Sequence, residues 1–137
     1  MTNISATATG GTGSNIGVDN QGSSSPTMTN MTATAIGVAG SVAFGVSNLS
    51  SGAKTMTNVT VTATGGGVNY GLYNSGAGPL VIRGSFLTGT SNSVFRVVGP
   101  ILIFDTKLSG PTAGMAAAAG VACVNTFDVA LVPYTCA

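Results

Sequence analysis

Charge is what this chain has least of. Three aspartates (Asp19, Asp105, Asp128) and four cations (Lys54, Arg83, Arg96, Lys107) make up 5% of 137 residues, for a net charge of +1. A typical domain carries about 25% charged residues. With no basic patch there is little to meet a phosphate backbone, so nucleic acid is a poor match as a partner. Glutamate, histidine and tryptophan are absent altogether. A hard cation needs about six oxygen ligands, commonly from clustered carboxylates, and no such cluster occurs here. No metal or cofactor is therefore expected. No run of eighteen apolar residues occurs either, which excludes a membrane-spanning helix. The remaining 44% apolar content argues against a disordered chain. A net charge so near zero favours contact between copies instead.

What is present is a repeat. The tetrad Met-Thr-Asn-apolar occurs at Met1-Thr2-Asn3-Ile4, Met28-Thr29-Asn30-Met31 and Met56-Thr57-Asn58-Val59, at spacings of 27 and 28 residues. Each tetrad leads a ten-residue block: MTNISATATG, MTNMTATAIG and MTNVTVTATG. LVIRGSFLTG from residue 80 and ILIFDTKLSG from residue 101 fit the same frame more loosely, so unit lengths run 27, 28, 24 and 21. A second element follows in each unit: Gly17-Val18-Asp19-Asn20, Gly45-Val46-Ser47-Asn48 and Gly71-Leu72-Tyr73-Asn74, with Val94-Phe95-Arg96-Val97-Val98 in the fourth. Runs of Gly, Ser and Pro come next, the residues of sharp reversals.

Short segments rich in Thr and Val suit pleated sheet. No 3.6-residue apolar stripe appears, and 21 glycines disfavour helix. The alanine run at 116–119, closely flanked by Gly114 and Gly120, reads as a loop. A strand-and-turn unit repeated every 21–28 residues is one rung of a stacked solenoid. The expected fold is all-β: a single-stranded parallel β-solenoid of about five to six coils, rising about 4.8 Å per coil. One domain is expected over 1–137, with repeat coils at 1–110 and a C-terminal capping segment at 111–137.

The alternation predicts inward columns. Ala6, Ala33 and Val61 form one; Ala8, Ala35, Ala63, Leu87 and Leu108 another; Ile4, Met31, Val59 and Phe104 a third, interrupted by Arg83. Met1, Met28, Met56, Leu80 and Ile101 are columnar but out of phase, as at a corner. Two asparagine columns are expected as ladders: Asn3, Asn30 and Asn58, and Asn20, Asn48 and Asn74. Stacked Asn side chains can bond to one another and to turn backbone, and Asn tolerates the left-handed conformation of a corner. Asn3, Asn30, Asn48 and Asn58 also lie in Asn-x-Ser/Thr sequons, so glycosylation competes with the ladder.

Cys123 and Cys136, thirteen residues apart, are either two buried thiols or a disulfide. A short return loop at a solenoid end favours the disulfide, which in turn suggests an extracellular or cell-surface protein.

The run Asn69-Tyr70-Gly71-Leu72-Tyr73-Asn74-Ser75-Gly76, the blocks LVIRGSFLTG and ILIFDTKLSG, and the tail CVNTFDVALVPYTC together resemble bacterial right-handed parallel β-helix repeat proteins of the pectin-lyase-like group. The resemblance implies a right-handed coil and, from the tail, a two-cysteine terminal segment of the kind found in secreted members. Enzymes of that group use clustered carboxylates. Here Asp19 and Asp105 fall in the first and fifth coils, about 20 Å apart at one strand spacing per coil. A catalytic role is not expected.

Three non-catalytic roles remain. The first is a structural module that self-associates into oligomers or a fibre, helped by low charge and by a first repeat block that leaves a rung edge open. The second is carbohydrate binding, in an adhesin or tail-spike fragment, through a groove with Tyr73, Phe95 and Arg96. The third is ice binding through a grid of Thr32, Thr34, Thr60, Thr62 and Thr64 aligned with Ser5, Thr7 and Thr9; the array is expected to fade at Gly84, Phe86, Asp105 and Lys107. Arg83 and Asp105, in neighbouring coils, are candidates for an ion pair.

Overall fold

A computed structural model describes residues 1–113 and 120–136. Every regular element among them is a strand. The first sheet holds β1 (Ser5–Thr9), β3 (Thr27–Ile36), β5 (Lys54–Thr64), β7 (Leu80–Arg83), β8 (Phe86–Gly89), β10 (Ile101–Phe104), β11 (Lys107–Ser109) and β13 (Val121–Val124). The second holds β2 (Ser14–Asn20), β4 (Val42–Asn48), β6 (Val68–Asn74), β9 (Asn92–Arg96) and β12 (Thr112–Ala113). Every strand pair is parallel, and each sheet stacks successive passes of the chain in order. The protein is a parallel β-solenoid. Its first sheet runs β1, β3, β5, β7 with β8, β10 with β11, then β13; its second runs β2, β4, β6, β9, β12. The chain after residue 110 thus still adds rungs, since β12 pairs with β9 and β13 with β10. The alanine run at 116–119 lies outside the described residues.

Alternation along the strands sets the core. Met28 and Met56 stack with Ile82 and Ile103, and Met31 stacks with Val59; all six are buried. From the second sheet, Val18, Val46, Leu72 and Val94 close the interior.

The first three rungs register as the tetrads predict. The fourth and fifth differ by two residues. Leu80 pairs with Lys54, not Met56, and Ile82 is the partner of Met56. Leu87 and Leu108 therefore continue the Ala6–Ala33–Val61 column, while Gly89 takes the place opposite Ala63. Phe104 stacks on Arg83 and Thr57, outside the core column assigned to it. The true rung lengths, read down the Ala6 column, are 27, 28, 26 and 21. The ten-residue blocks misled because the fourth rung begins its pairing at the block's own first residue. The third rung is paired from Lys54, two residues before Met56.

The sheets meet most closely along Gly17, Gly45 and Gly71. A Cβ on Gly45 would lie 2.3 Å from Val61 Cγ1 and 2.8 Å from the Gly71 carbonyl oxygen. This is why the second element of each early unit carries glycine: backbone passes where a side chain would stand. The fourth rung has Ser93 at this level, fully buried, its hydroxyl donating to the carbonyls of Gly110 and Pro111.

The end of the chain folds back over the last rungs. Phe127 bridges to Lys107 and, antiparallel, to Pro133. Cys123 and Cys136 are joined as a disulfide with Cα atoms 5.4 Å apart, and Tyr134 and Cys136 pack against the core.

Candidate functional site

No pocket forms among the described residues, and they contain no group of three or more His, Cys, Asp or Glu that would hold a metal. What the solenoid presents is two flat sheet faces and the corners between them.

On the outer face of the second sheet, register stacks Ile16, Phe44, Tyr70 and Asn92 in one column and Asp19, Ser47, Tyr73 and Phe95 in the next. Four of these are aromatic and half-buried, and their rings form one cluster. Tyr70 lies 4.8 Å from Phe95 and 5.6 Å from Phe44, centroid to centroid. Tyr73 lies 5.3 Å from Phe44 edge-on, and 5.8 Å from Phe95 with the two planes 12° apart. Offset and edge-on pairs of this kind contribute about 0.5–1.5 kcal/mol each beyond burial. Val42 and Val68, also half-buried, extend the patch along the strands. The rings lie on an open face, not in the groove expected with Arg96. Arg96 instead follows the Asn20–Asn48–Asn74 column at the strand's end, where its Nε donates to the Gly99 carbonyl at 2.5 Å.

The outer face of the first sheet carries the hydroxyls. Ser5, Thr32 and Thr60 stack in one column and Thr7, Thr34 and Thr62 in a second. In the third column Ile36 stands between Thr9 and Thr64. The first column ends in Phe86 and Lys107, which the ten-residue frame places in the second, and the second continues unbroken through Thr88 and Ser109. The two-residue register shift hid these last two from the sequence pattern. Arg83 and Asp105 do not pair. Arg83 sits over the Phe104 ring at 4.3 Å, and Lys107 lies 5.5 Å from the Phe86 centroid. Asp105 accepts instead from Asn125 Nδ2 at 3.1 Å. The three carboxylates are scattered: Asp19 on the second sheet, Asp105 at a corner of the first, and Asp128 capping the tail through the amides of Ala130 and Val132.

The first asparagine column is a left-handed corner. Asn3, Asn30 and Asn58 have φ of 55°, 50° and 52°. Gly84, Asp105 and Asn125 extend the series at 53°, 48° and 48°, residue types that reach this region at least cost. Asn58 Nδ2 donates to Asn30 Oδ1 at 3.3 Å, and a Cβ at Gly84 would lie 2.8 Å from Asn58 Oδ1. Just past this corner the later rungs replace buried Met31 and Val59 with Ser85, Thr106 and Thr126, whose hydroxyls donate back to the carbonyls of Arg83, Phe104 and Val124.

The second column lies inside, at the end of β2, β4 and β6. Asn20 Nδ2 donates to Asn48 Oδ1 at 2.6 Å, and Asn74 Nδ2 to the Val98 carbonyl at 2.8 Å. Between them, Asn48 Nδ2 and Asn74 Oδ1 have no partner, although register sets the two residues side by side. Asn48 is wholly buried and its sequon is closed to a glycan, whereas Asn3, Asn30 and Asn58 are exposed.

Sequence reasoning missed Lys54. Its side chain is only 1% exposed, and Nζ donates to the carbonyls of Ser50, Gly52 and Gly78 at 2.9, 3.2 and 3.0 Å. Burial lowers its pKa from the ordinary lysine value. The clue in the sequence was its place two residues before Met56, an inward position once the strand is extended upstream. No family model, curated protein or solved structure matches the chain. No helix of the described residues is long and apolar enough to cross a membrane.

Proposed function

We infer that this protein is a non-catalytic structural β-solenoid, of the right-handed pectin-lyase-like kind, that works by associating with further copies of itself at an extracellular or cell-surface location. The observation that carries this is the ring cluster Phe44, Tyr70, Tyr73 and Phe95, half-exposed on a flat face. Apolar aromatic patches without a pocket are characteristic of protein contacts, where Tyr and Phe are enriched. A net charge of +1 puts up little repulsion between copies. The disulfide between Cys123 and Cys136 suits an oxidising compartment. The test is molar mass by light scattering over a concentration series of non-reduced protein. A mass that rises to a defined oligomer or a growing fibre supports the assignment; a monomer at every concentration refutes it.

A second reading rests on a separate observation, the unbroken hydroxyl column Thr7, Thr34, Thr62, Thr88 and Ser109. With Thr32, Thr60 and Thr64 beside it, this column makes the regular grid that ice-binding solenoids use. Thermal hysteresis of the purified protein tests it. Carbohydrate remains the third class, with Tyr73 and Phe95 as a near-parallel stacking pair, and a glycan array is its test.

A further inference from the structure

The hairpin that closes the chain ends in an unusual tip. Val129, Leu131 and Val132 are 55%, 68% and 56% exposed, and Ala130 and Pro133 beside them are exposed as well. Five consecutive residues thus present aliphatic side chains to water. Leu131 also has a φ of +61°, in the left-handed region where a bulky side chain is an outlier and Gly or Asn sits at less cost. Strain of this kind, kept on an exposed residue that supports no core, points to function. We propose that the hairpin tip at 129–133 is a membrane anchor that inserts its aliphatic side chains among the lipid chains at the surface of a zwitterionic bilayer. This surface is separate from the aromatic face, and its role does not depend on self-association.

The backbone donors of the tip are already used. The amides of Ala130 and Val132 donate to Asp128 Oδ1 at 2.8 and 2.9 Å, and that of Leu131 donates to the Asp128 carbonyl at 3.1 Å. Pro133 has no N–H to satisfy. A donor carried unpaired into hydrocarbon is costly, and from 130 to 133 none is left over. Below the tip the hairpin is fixed. The Asp128 amide donates to the Val132 carbonyl at 3.0 Å, Phe127 bridges to Pro133, and the disulfide between Cys123 and Cys136 ties the segment to the last rung. The aliphatic side chains are therefore presented in one arrangement, with little further ordering needed on insertion.

The chemistry of the tip favours lipid over a protein partner. Protein contacts draw on aromatic and Arg side chains, and Leu and Val are under-represented at their energetic centres. The tip has no aromatic ring, no cation and, from 130 to 133, no spare amide donor, so it carries little that a shaped groove could recognise. A fluid apolar phase demands none of these. Charge selects the kind of bilayer. Asp128 is the sole charged side chain between Val121 and Cys136, so nothing in this segment draws the tip to an anionic surface. Binding is accordingly insensitive to salt. One turn inserts little area, and because binding strength scales with the apolar surface inserted, attachment is weak and reversible.

The test is flotation of the whole oxidised chain with phosphatidylcholine vesicles, with and without phosphatidylserine, at low and high salt. The wild type is expected to partition onto phosphatidylcholine alone, with no gain from phosphatidylserine. Leu131→Asn removes the longest aliphatic side chain of the tip at a φ that asparagine tolerates. It should lower the partition coefficient at least about tenfold, the weight of one leucine side chain leaving apolar surroundings, while its melting temperature holds or rises. Ile36→Thr, which removes an exposed aliphatic side chain from the first sheet, should leave partition unchanged. The anchor is overturned by a wild type that does not partition, by partition that needs phosphatidylserine and falls with salt, or by equal partition in Leu131→Asn and Ile36→Thr. A lower melting temperature in Leu131→Asn overturns it too, since the leucine would then serve the fold. Self-association without vesicles that is lost in Leu131→Asn assigns the tip to protein contact and overturns the lipid role.

Discussion

Replacing Gly45 by alanine tests the packing that holds the two sheets together. The added Cβ would lie 2.3 Å from Val61 Cγ1, 2.8 Å from the Gly71 carbonyl oxygen and 3.2 Å from that of Thr62. Ordinary contacts between carbons are about 3.5–4.0 Å. Val61 is fully buried in the column between Ala33 and Leu87 and has no open side to swing toward. The Gly71 oxygen belongs to a strand paired on both sides, so it cannot retreat without disturbing the ladder. Overpacking a core costs about 1–3 kcal/mol, and backbone among the blocking atoms puts Gly45→Ala at the upper end, about 2–3 kcal/mol. A domain of this size loses about 3–4 °C of Tm per kcal/mol, so the melting point should fall by about 6–12 °C. The comparison is Gly40→Ala. Gly40 has a φ of +84° but nothing within 4 Å of its missing Cβ, so only backbone strain of about 1–2 kcal/mol applies. Shortening the neighbour adds a second check. In Gly45→Ala/Val61→Ala the closest clash is gone, and the double variant should be more stable than the two single losses predict by about 0.5–3 kcal/mol. Thermal or urea denaturation of the wild type, Gly45→Ala, Val61→Ala, the double variant and Gly40→Ala measures all of this. If Gly45→Ala is no more damaging than Gly40→Ala and couples to nothing at Val61, the close approach of the sheets is refuted.

Three further outcomes follow from the corners and the tail. Burial lowers the Lys54 pKa from 10.5, so between the folded and unfolded values the unfolded chain holds more protons, and stability from this group rises with pH through that window. Denaturant melts from pH 8 to 10.5 should show that rise in the wild type and lose it in Lys54→Met; equal slopes in the two proteins would be evidence against a buried ammonium. Asn58 sits at a φ of 52°, so Asn58→Ala should cost about 1 kcal/mol and Asn58→Gly close to nothing by urea denaturation, an ordering that reverses if side-chain ladder bonds matter more than the backbone. Breaking the link between Cys123 and Cys136, thirteen residues apart, should cost about 3 kcal/mol on the chain-entropy account, read as a lower melting point in Cys123→Ser/Cys136→Ser; an unchanged melt would mean the tail is held by Tyr134 and its neighbours alone.

The repeat was legible because identical tetrads stack on identical tetrads. Met28 and Met56, Thr32 and Thr60, and Asn30 and Asn58 all meet as their spacing requires. The fourth rung was misread because LVIRGSFLTG looks like the earlier blocks while pairing two residues out of phase with them. Hydrophobic alternation has a period of two, so a shift of two keeps every apolar residue facing inward and leaves no trace in the pattern. The same shift concealed Thr88 and Ser109 as heirs of the hydroxyl column. Lys54 escaped because a lysine is ordinarily a surface residue, and the three carbonyls that receive it come from turns 2, 4 and 24 residues away.

By itself the sequence determined the class of fold: a period of 27–28 residues, strand-forming composition and turn-rich joints admit a stacked solenoid and little else. It also determined which residues recur at the corners, because only a few types accept a positive φ. The tertiary structure decided what those residues face. Ring contacts among Phe44, Tyr70, Tyr73 and Phe95 span three rungs, and the choice of Phe104 over Asp105 as the partner of Arg83 depends on register. Both are set by how one coil sits on the next, a relation between residues some twenty or more positions apart that no local pattern encodes.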